Sequence, residues 1–142
     1  MFKIKFKKLV ADAKSPSYAH PGDAGMDLCA SQEVILKRGE VIKVPTGLAM
    51  EIPDGHVGLV WDKSGLSTQH GIKTLAGVID AGYRGEILVG LINLGKEDCV
   101  IAKHQKVAQL LIQKVERAEF EEADTLSDTS RGAGGFGSTG KH

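Results

Sequence analysis

The clearest indication of the fold is the stretch Gly77-Val78-Ile79-Asp80-Ala81-Gly82-Tyr83-Arg84-Gly85, followed directly by Glu86-Ile87-Leu88-Val89-Gly90-Leu91-Ile92. The second half is a short apolar run with β-branched residues, which is typical of a β-strand. In the first half, glycines frame an acidic and an aromatic residue, as in the turn of a hairpin. The stretch therefore predicts a β-hairpin whose loop presents Asp80 and Tyr83.

Similar strand-like stretches recur at short intervals along the chain, separated by turns rich in Gly, Pro or Asp. At the start, lysines alternate with Phe2, Ile4 and Phe6, which predicts a half-buried strand. Helix is expected for at most a turn or two, within residues 66–71. The pattern predicts an all-β sandwich, jelly roll or barrel. The further predicted strands are residues 34–36, 41–44, 47–52, 57–61, 86–92 and 107–112.

The chain has 142 residues, with 18 Lys plus Arg against 18 Asp plus Glu, so one domain without net charge is expected. The charge balance argues against a general nucleic-acid or membrane-surface binder, and any anionic ligand must be small and locally recognised. Cys29 and Cys99 have no metal-ligand spacing and predict buried thiols. With no apolar block suited to a signal peptide or a bilayer span, a cytoplasmic location is expected.

The composition changes near residue 127, where Ser, Thr, Gly and Asp take over. We expect a β domain over residues 1–126 and a flexible C-terminal arm over 127–142, because the arm has little apolar surface to bury. A plain disordered end is one interpretation. Alternatively, Arg131 can hold a phosphate and Phe136 can stack on a base, so the arm can act as a lid.

Three segments offer candidate chemistry, each with a simpler alternative. Asp80 is either a turn-stabilising residue or a general base that activates water. Lys63-Ser64-Gly65-Leu66-Ser67 is either a solvated turn or an anion-binding turn, in which lysine supplies charge and glycine lets backbone amides approach. In residues 21–28, Asp23 or Asp27 either forms an Asx turn or holds hydrated Mg²⁺.

Taken in chain order, five segments resemble the five signature motifs of the trimeric dUTPase family. They are residues 21–28, 63–66, 77–85, 105–110 and 131–140. The joint occurrence of five ordered matches in a β-rich chain of this size is highly specific. The resemblance implies a jelly-roll-like distorted β-barrel, assembled as a homotrimer with shared active sites. It also implies a dUTP pyrophosphatase that, assisted by Mg²⁺, hydrolyses dUTP to dUMP and pyrophosphate, which limits uracil in DNA and supplies dUMP for dTMP synthesis.

Carried over residue by residue, the resemblance implies a role for each motif. Asp80 would activate the water that attacks the α-phosphorus, while Tyr83 would pack on deoxyribose. Asp27 would contact Mg²⁺ through water, and Arg131 would hold the γ-phosphate. Phe136, beside Gly137, would cover the base. Backbone groups of Gly77, Val78 and Ile79, with the strand near Leu88, would bind uracil, and Lys63, Ser64, Gly65 and Gln109 would hold phosphate oxygens.

The chain departs from the family pattern at four places. Lys63 stands where arginine is more frequent, which replaces a bidentate contact with a point charge. Asp62 stands where proline is usual and adds negative charge beside a phosphate site. Thr74 replaces a uracil-facing asparagine of some members, and Gly82 replaces a frequent acidic residue.

Two alternatives remain at this stage. The related dCTP deaminases share the fold and a similar hairpin, but their catalytic glutamate aligns with Gly90 here, while Glu86 lies four residues earlier. The second alternative is a non-catalytic module that senses dUTP and contacts a partner protein.

Overall fold

The computed structural model describes residues 2–138 and residue 140. Met1 of the predicted β domain and residues 139, 141 and 142 of the predicted arm lie outside the described residues. Within the described part, eleven β-strands and one short α-helix are present, so the predicted all-β class is confirmed. The elements are β1 Lys5–Lys8, β2 Met26–Cys29, β3 Val34–Leu36, β4 Val41–Pro45, β5 Leu48–Glu51, β6 His56–Asp62, α1 Ser64–His70, β7 Ile72–Leu75, β8 Val78–Ile79, β9 Leu88–Asn93, β10 Cys99–Ile101 and β11 Lys106–Lys114.

Two larger antiparallel sheets make up the jelly-roll-like body. One has four strands in the order β2-β11-β6-β8, and the other has three in the order β4-β9-β7. The pairs β1-β5 and β3-β10 complete the architecture. Among the described strands every pairing is antiparallel, which fits short connections through turns.

The core lies between these sheets and is built from the apolar residues that alternate along the strands. In β9, for example, Val89 and Leu91 are buried while Leu88 is exposed. Burial of these side chains supplies the main driving force for folding. The largest fully buried apolar side chains are Leu28, Leu36, Leu48, Ile52, Ile87, Leu91, Ile101 and Leu110.

The predicted strands are found with shifts of one or two residues at their ends, apart from the first one. β1 begins only at Lys5 and is exposed along its length. Phe2, Ile4 and Phe6 do face one way, as predicted, and line an open groove of about 360 Å³, but Phe2 and Phe6 stay exposed and only Ile4 is partly buried against the core. The expectation of a half-buried strand is therefore wrong for a single chain.

The helix is as short as expected. α1 ends at Gly71, whose φ of 71° provides a left-handed cap that a residue with a side chain adopts less readily. No helix of the described residues is long and apolar enough to cross a membrane. Both cysteines are free and partly buried, where full burial was expected.

A strand switch at residues 76–77 prepares the site. β7 pairs with β9 in one sheet, whereas β8, two residues later, pairs with β6 in the other. Ala76 and Gly77 make this change of sheet with φ values of 58° and 110°. A side chain at Gly77 would approach the Val60 carbonyl oxygen to 2.8 Å, so glycine is needed for the crossing.

Candidate active site

The strand switch opens a hollow of about 220 Å³ between β8 and β9, which we call the hairpin hollow. β8 is the edge strand of its sheet, and β9 is paired with β7 only as far as Gly90. The backbone edges at residues 78–79 and at Leu88 therefore border the hollow with no described strand between them. Backbone N–H and C=O groups need hydrogen-bond partners, so this gap suits a flat ligand with amide-like edges. Its lining is Val60, Ala76, Gly77, Val78, Ile79, Asp80, Tyr83, Glu86, Ile87 and Leu88.

Asp80 lies at the rim of the hairpin hollow, directly after β8. The turn that follows is closed by the backbone, because the Tyr83 N–H donates to the Asp80 carbonyl oxygen at 3.1 Å. The Asp80 carboxylate makes no hydrogen bond to any described residue and is exposed. The interpretation of Asp80 as a residue whose side chain holds its own turn is therefore not supported. Its carboxylate is free to accept a proton from water.

Tyr83 forms one wall of the hairpin hollow and is fixed by its hydroxyl group. The hydroxyl donates to the Glu86 carbonyl oxygen at 2.6 Å. A Cβ atom at Gly85 would lie 2.6 Å from this hydroxyl oxygen and 3.0 Å from a ring carbon, so the ring passes directly over Gly85. The ring is still 45% exposed and offers a flat surface to a ligand.

Lys63, Ser64 and Gly65, which we call the Lys63 turn, connect β6 to α1. The Ser67 N–H donates to the Lys63 carbonyl oxygen at 3.0 Å, which starts the helix. A Cβ atom added at Gly65 would meet no described atom within 4 Å, so the backbone at this glycine faces open space. Beside it lies a second hollow of about 390 Å³, which we call the turn hollow, lined by Ala24, Trp61, Asp62, Ser64, Ser67, Thr68, Gln109 and Leu111.

Asp27 is buried behind the Lys63 turn and is held by two lysines. Its side chain is 6% exposed, and Oδ1 accepts a hydrogen bond of 2.8 Å from Lys63 Nζ. Lys106 Nζ is 3.0 Å from Oδ2, but outside hydrogen-bonding angles, so Oδ2 is ion-paired without accepting a hydrogen bond from the described residues. Burial alone raises the pKa of this carboxyl, but the two lysines outweigh burial and hold the pKa below its usual value. The pair with Asp27 raises the pKa of Lys106.

Gln109, on β11, holds Asp62, the residue directly before the Lys63 turn. Its Nε2 donates to the Asp62 carbonyl oxygen at 2.9 Å, and its side chain lines the turn hollow. Gly25 packs against it so closely that an added Cβ would lie 2.4 Å from Gln109 Oε1 and 2.9 Å from its Cβ. The glycine in the first motif therefore leaves room for the glutamine of the fourth.

Asp62 lines the turn hollow, and its carboxylate is held by two residues of β7. Oδ1 accepts a hydrogen bond of 2.7 Å from the Thr74 N–H, and Oδ2 accepts one of 2.7 Å from Lys73 Nζ. Burial alone raises the pKa of this carboxyl, but the bonds from Lys73 and Thr74 lower it overall. Thr74 is buried beneath this contact and does not line the hairpin hollow.

The arm carries Arg131, Phe136 and Gly137 away from both hollows. Arg131 Nε donates to the Gly134 carbonyl oxygen at 2.7 Å, within the arm itself. Phe136 is fully exposed with a φ of 52°, and Gly137 follows with a φ of 81°. Described residues from 116 onward are exposed, apart from two partly buried ones at 134–135, so the exposed segment begins before the predicted boundary at 127.

The structure thus brings the candidate residues into three groups. Among the described residues none lines both hollows, and those of the arm line neither. Asp80 and Tyr83 line the hairpin hollow, Ser64 of the Lys63 turn and Gln109 line the turn hollow, and Arg131 is on the arm. A single chain therefore presents the parts of a site without assembling them.

The deaminase alternative finds no support at position 90. A Cβ at Gly90 would lie 3.1 Å from the Leu75 carbonyl oxygen, where β7 and β9 approach closely. Glu86 borders the hairpin hollow, but its Oε2 accepts a hydrogen bond of 2.9 Å from the Gly47 N–H and so holds the turn between β4 and β5.

Sequence reasoning missed three polar partners in this region. Lys106 lies in the fourth motif, residues 105–110, but its spacing in the sequence does not indicate a contact with Asp27. Lys73 was not singled out, and Glu86 was considered only as a base. Their roles depend on contacts between residues 11 to 79 positions apart, which no local pattern reveals.

The β-barrel-like body carries an exposed carboxylate beside the hairpin hollow and a lysine turn beside the turn hollow. This combination is typical of enzymes that act on small anionic substrates. The comparisons with known proteins identify the family. The family model described as dUTPase matches residues 11–140, and this chain belongs to the dUTPase family.

Individual relatives agree with this assignment. The deoxyuridine 5'-triphosphate nucleotidohydrolase of Thermobifida fusca (strain YX) is 48% identical over 143 residues, covering 99% of this chain and 80% of that protein. The solved dUTPase of Staphylococcus bacteriophage 80alpha with dUPNHPP is 27% identical, with a TM-score of 0.94 over 99% of this chain and 100% of its own. A point mutant of the dUTPase from phage phi11 of S. aureus, described with a structural Mg(II) ion, is 25% identical, with a TM-score of 0.82 over 87% of this chain and 98% of its own.

Proposed function

We propose that this chain is a dUTP diphosphatase, which hydrolyses dUTP to dUMP and pyrophosphate. The observation that carries the proposal is the unbonded Asp80 carboxylate at the rim of the hairpin hollow. The family membership and the nucleotidohydrolase relatives support the same reaction. By consuming dUTP, the reaction limits uracil in DNA and supplies dUMP for dTMP synthesis.

The hairpin hollow suits a uracil base. Uracil has an imide N–H between two carbonyl groups, which matches the alternating donors and acceptors of a strand edge. In this proposal the backbone of Gly77, Val78 and Ile79 on one side and of Leu88 on the other contacts the base. Tyr83 then packs against the deoxyribose, where its fixed ring leaves no room for a 2'-hydroxyl.

Asp80 is proposed to act as the general base. It accepts a proton from water as the water oxygen forms a bond to the α-phosphorus, and the bond from the α-phosphorus to the bridging oxygen of the β-phosphate breaks. The products are dUMP and pyrophosphate. A base that makes no other hydrogen bond is ready to orient water, and its fixed place after β8 supplies the alignment on which rate depends.

The Lys63 turn and Gln109 are proposed to hold the phosphate oxygens. Lys63 Nζ is held in place by its hydrogen bond to buried Asp27, so the amine is already positioned when a phosphate binds. The open backbone at Gly65 and the Ser64 hydroxyl add donors without a competing side chain. Arg131 and Phe136 of the arm would close over the γ-phosphate and the base, with Gly137 allowing the turn.

Magnesium fits this site only as an ion carried by the substrate. The described residues contain no cluster of three or more His, Cys, Asp or Glu side chains able to bind a metal. Asp27 Oδ2 accepts no hydrogen bond from them, but it is buried and ion-paired with Lys106, so contact with a hydrated ion through water requires Lys106 to move aside. When bound with the triphosphate, Mg²⁺ neutralises phosphate oxygens, and Asp27 would orient one of its waters.

A homotrimer with shared active sites is part of the proposal, because one chain leaves the three groups of residues apart. The segment just before the arm supports it, since Phe120 and Leu126 are almost fully exposed and find no cover among the described residues of their own chain. The groove beside β1, lined by Phe2, Ile4 and Phe6, is an apolar surface of matching kind. We therefore propose a body over residues 1–126 and an arm over 127–142 that closes a neighbour's site.

A cytoplasmic location is proposed from the two free cysteines, Cys29 and Cys99, which suit a reducing compartment. The activity is tested with purified protein, dUTP, dCTP and Mg²⁺, with pyrophosphate and ammonia followed separately. We expect pyrophosphate from dUTP and no ammonia. Ammonia released from dCTP would instead establish a deaminase, and tight dUTP binding without pyrophosphate would establish a binding module.

A further inference from the structure

Asp62 places an acidic side chain directly before the Lys63 turn, where the proposed function requires a triphosphate to bind. A carboxylate in this position would repel the phosphates unless it is neutralised. Its surroundings in the structure address this conflict. The backbone of Asp62 also accepts a hydrogen bond that helps to fix the chain directly before the Lys63 turn.

The Asp62 carboxylate bridges two sheets. β6, which ends at Asp62, and β7, which carries Lys73 and Thr74, are in different sheets. Oδ1 accepts from the Thr74 N–H and Oδ2 from Lys73 Nζ, each at 2.7 Å, so both oxygens are occupied. The Asp62 side chain is 22% exposed and that of Lys73 47%, which makes this a partly shielded pair.

The backbone of Asp62 is held as well. Its carbonyl oxygen accepts a hydrogen bond of 2.9 Å from Gln109 Nε2. The next carbonyl, that of Lys63, accepts the first hydrogen bond of α1 from the Ser67 N–H. The path of the chain into the Lys63 turn is therefore fixed from β7 on one side and from β11 on the other.

We propose that Asp62 and Lys73 are positioning residues for triphosphate binding. The pair fixes the end of β6 against β7, and Lys73 neutralises the carboxylate that precedes the Lys63 turn. Neither residue needs to touch the substrate. This proposal rests on the proposed function and adds to it a pair of residues that acts through the Lys63 turn.

The test uses the full chain and compares Lys73→Met with the double variant that also carries Asp62→Asn. Lys73→Met leaves the carboxylate without its cation, so we expect the KM for dUTP to rise about threefold to tenfold at low salt, with kcat within about twofold of the original. High salt should shrink the difference. Asp62→Asn added to Lys73→Met removes the uncompensated charge while keeping an acceptor for Thr74, so KM should return to within about twofold.

Binding measured by calorimetry separates the phosphate effect from a general loss of structure. Lys73→Met should weaken dUPNHPP binding but leave deoxyuridine, which has no phosphates, unaffected. Lys103→Met, which removes another exposed lysine paired with an aspartate, is the matched control and should leave both unchanged. Lys73→Arg keeps the charge and should preserve KM.

An unchanged KM in Lys73→Met would overturn the proposal. So would a double variant no better than Lys73→Met, because Lys73 would then contact the phosphates itself or serve only stability. Absence of pyrophosphate release by the unmodified protein would count against the proposed function alone, since dUPNHPP affinity does not depend on turnover.

Discussion

The Tyr83 hydroxyl donates a hydrogen bond of 2.6 Å to the Glu86 carbonyl oxygen, and this bond lies within the loop that separates β8 from β9. The bond holds the aromatic ring over Gly85, at the wall of the hairpin hollow. In the proposed function, selection of deoxyribose over ribose depends on this anchor, because a ring that is free to move can shift aside and admit a 2'-hydroxyl.

Tyr83→Phe keeps the ring and removes its anchor. We expect kcat/KM for dUTP to fall about threefold to tenfold and the preference for dUTP over UTP to narrow, as measured by pyrophosphate release from each nucleotide. Tyr18→Phe changes the other tyrosine, which lies in the groove beside β1, and should leave both values unchanged. An unaltered dUTP preference in Tyr83→Phe would show that the anchor does not set sugar selectivity.

Asp80→Asn tests the proposed base. The amide preserves the shape of the loop, whose turn is closed by the backbone, but it does not accept a proton from water. Turnover of dUTP should fall by about 10²-fold or more, while dUPNHPP affinity changes little. Asp54→Asn, in the turn before β6, is the control for an exposed aspartate outside the site. Near-normal turnover in Asp80→Asn would remove Asp80 from its role.

Gly25→Ala tests the contact between the first and fourth motifs. The added methyl group would collide with the Gln109 side chain, whose Nε2 would then lose its bond to Asp62. We expect a loss of about 1–3 kcal/mol in the free energy of unfolding and a raised KM for dUTP. Gly82→Ala adds the same group where no described atom lies within 4 Å, and its stability should stay within about 0.5 kcal/mol. Equal stabilities would mean that Gln109 moves aside at no cost.

The pH dependence of stability should reveal Asp27. The pKa of this carboxyl in the folded protein lies below its ordinary value of 3.8 because the two lysines outweigh burial. A depressed carboxyl pKa stabilises the fold above the pKa of the unfolded chain, and this contribution is lost as the pH falls through the lower, folded value. The free energy of unfolding of Asp27→Asn, measured with denaturant, should therefore change less as the pH is lowered from about 5 than that of the unmodified protein. Parallel pH curves for the two proteins would show that Asp27 makes no such contribution.

Most of the fold followed from local pattern. Short apolar stretches between turns located β3 to β6, β9 and β11, because each alternates or fills a buried strand within a few residues. β1 was misplaced because its apolar side chains face a groove that its own chain leaves open, and periodicity does not reveal which partner covers a face. β7 and β10 were not predicted: Ile72–Leu75 does not alternate between apolar and polar residues, and Cys99–Ile101, although no shorter than β3, directly follows a predicted turn.

The candidate site was predicted less completely. The motif residues could be named from sequence, because Asp80, Lys63 and Gln109 stand in recognisable order. Their arrangement in space could not be predicted. The chain changes sheet at Ala76 and Gly77 and so opens the hairpin hollow, and this change depends on positive φ values that an alanine in the sequence does not indicate. Likewise, Asp62 was expected to burden the phosphate site with charge, and only its distant partner Lys73 shows how that charge is compensated.

Two C-terminal truncations, one within the arm and one that begins before it, distinguish a lid from a structural tail. Removal of residues from 130 onward takes away Arg131 and Phe136 but keeps Phe120 and Leu126, so the proposed trimer and its unfolding temperature should persist while turnover of dUTP falls by about 10²-fold or more. Removal from 117 onward also takes the exposed apolar residues, and light scattering should then report a weakened trimer because the groove beside β1 loses its proposed cover. A sharp drop in unfolding temperature after the shorter truncation would instead assign the last residues to the stability of the body, and full activity would exclude the lid.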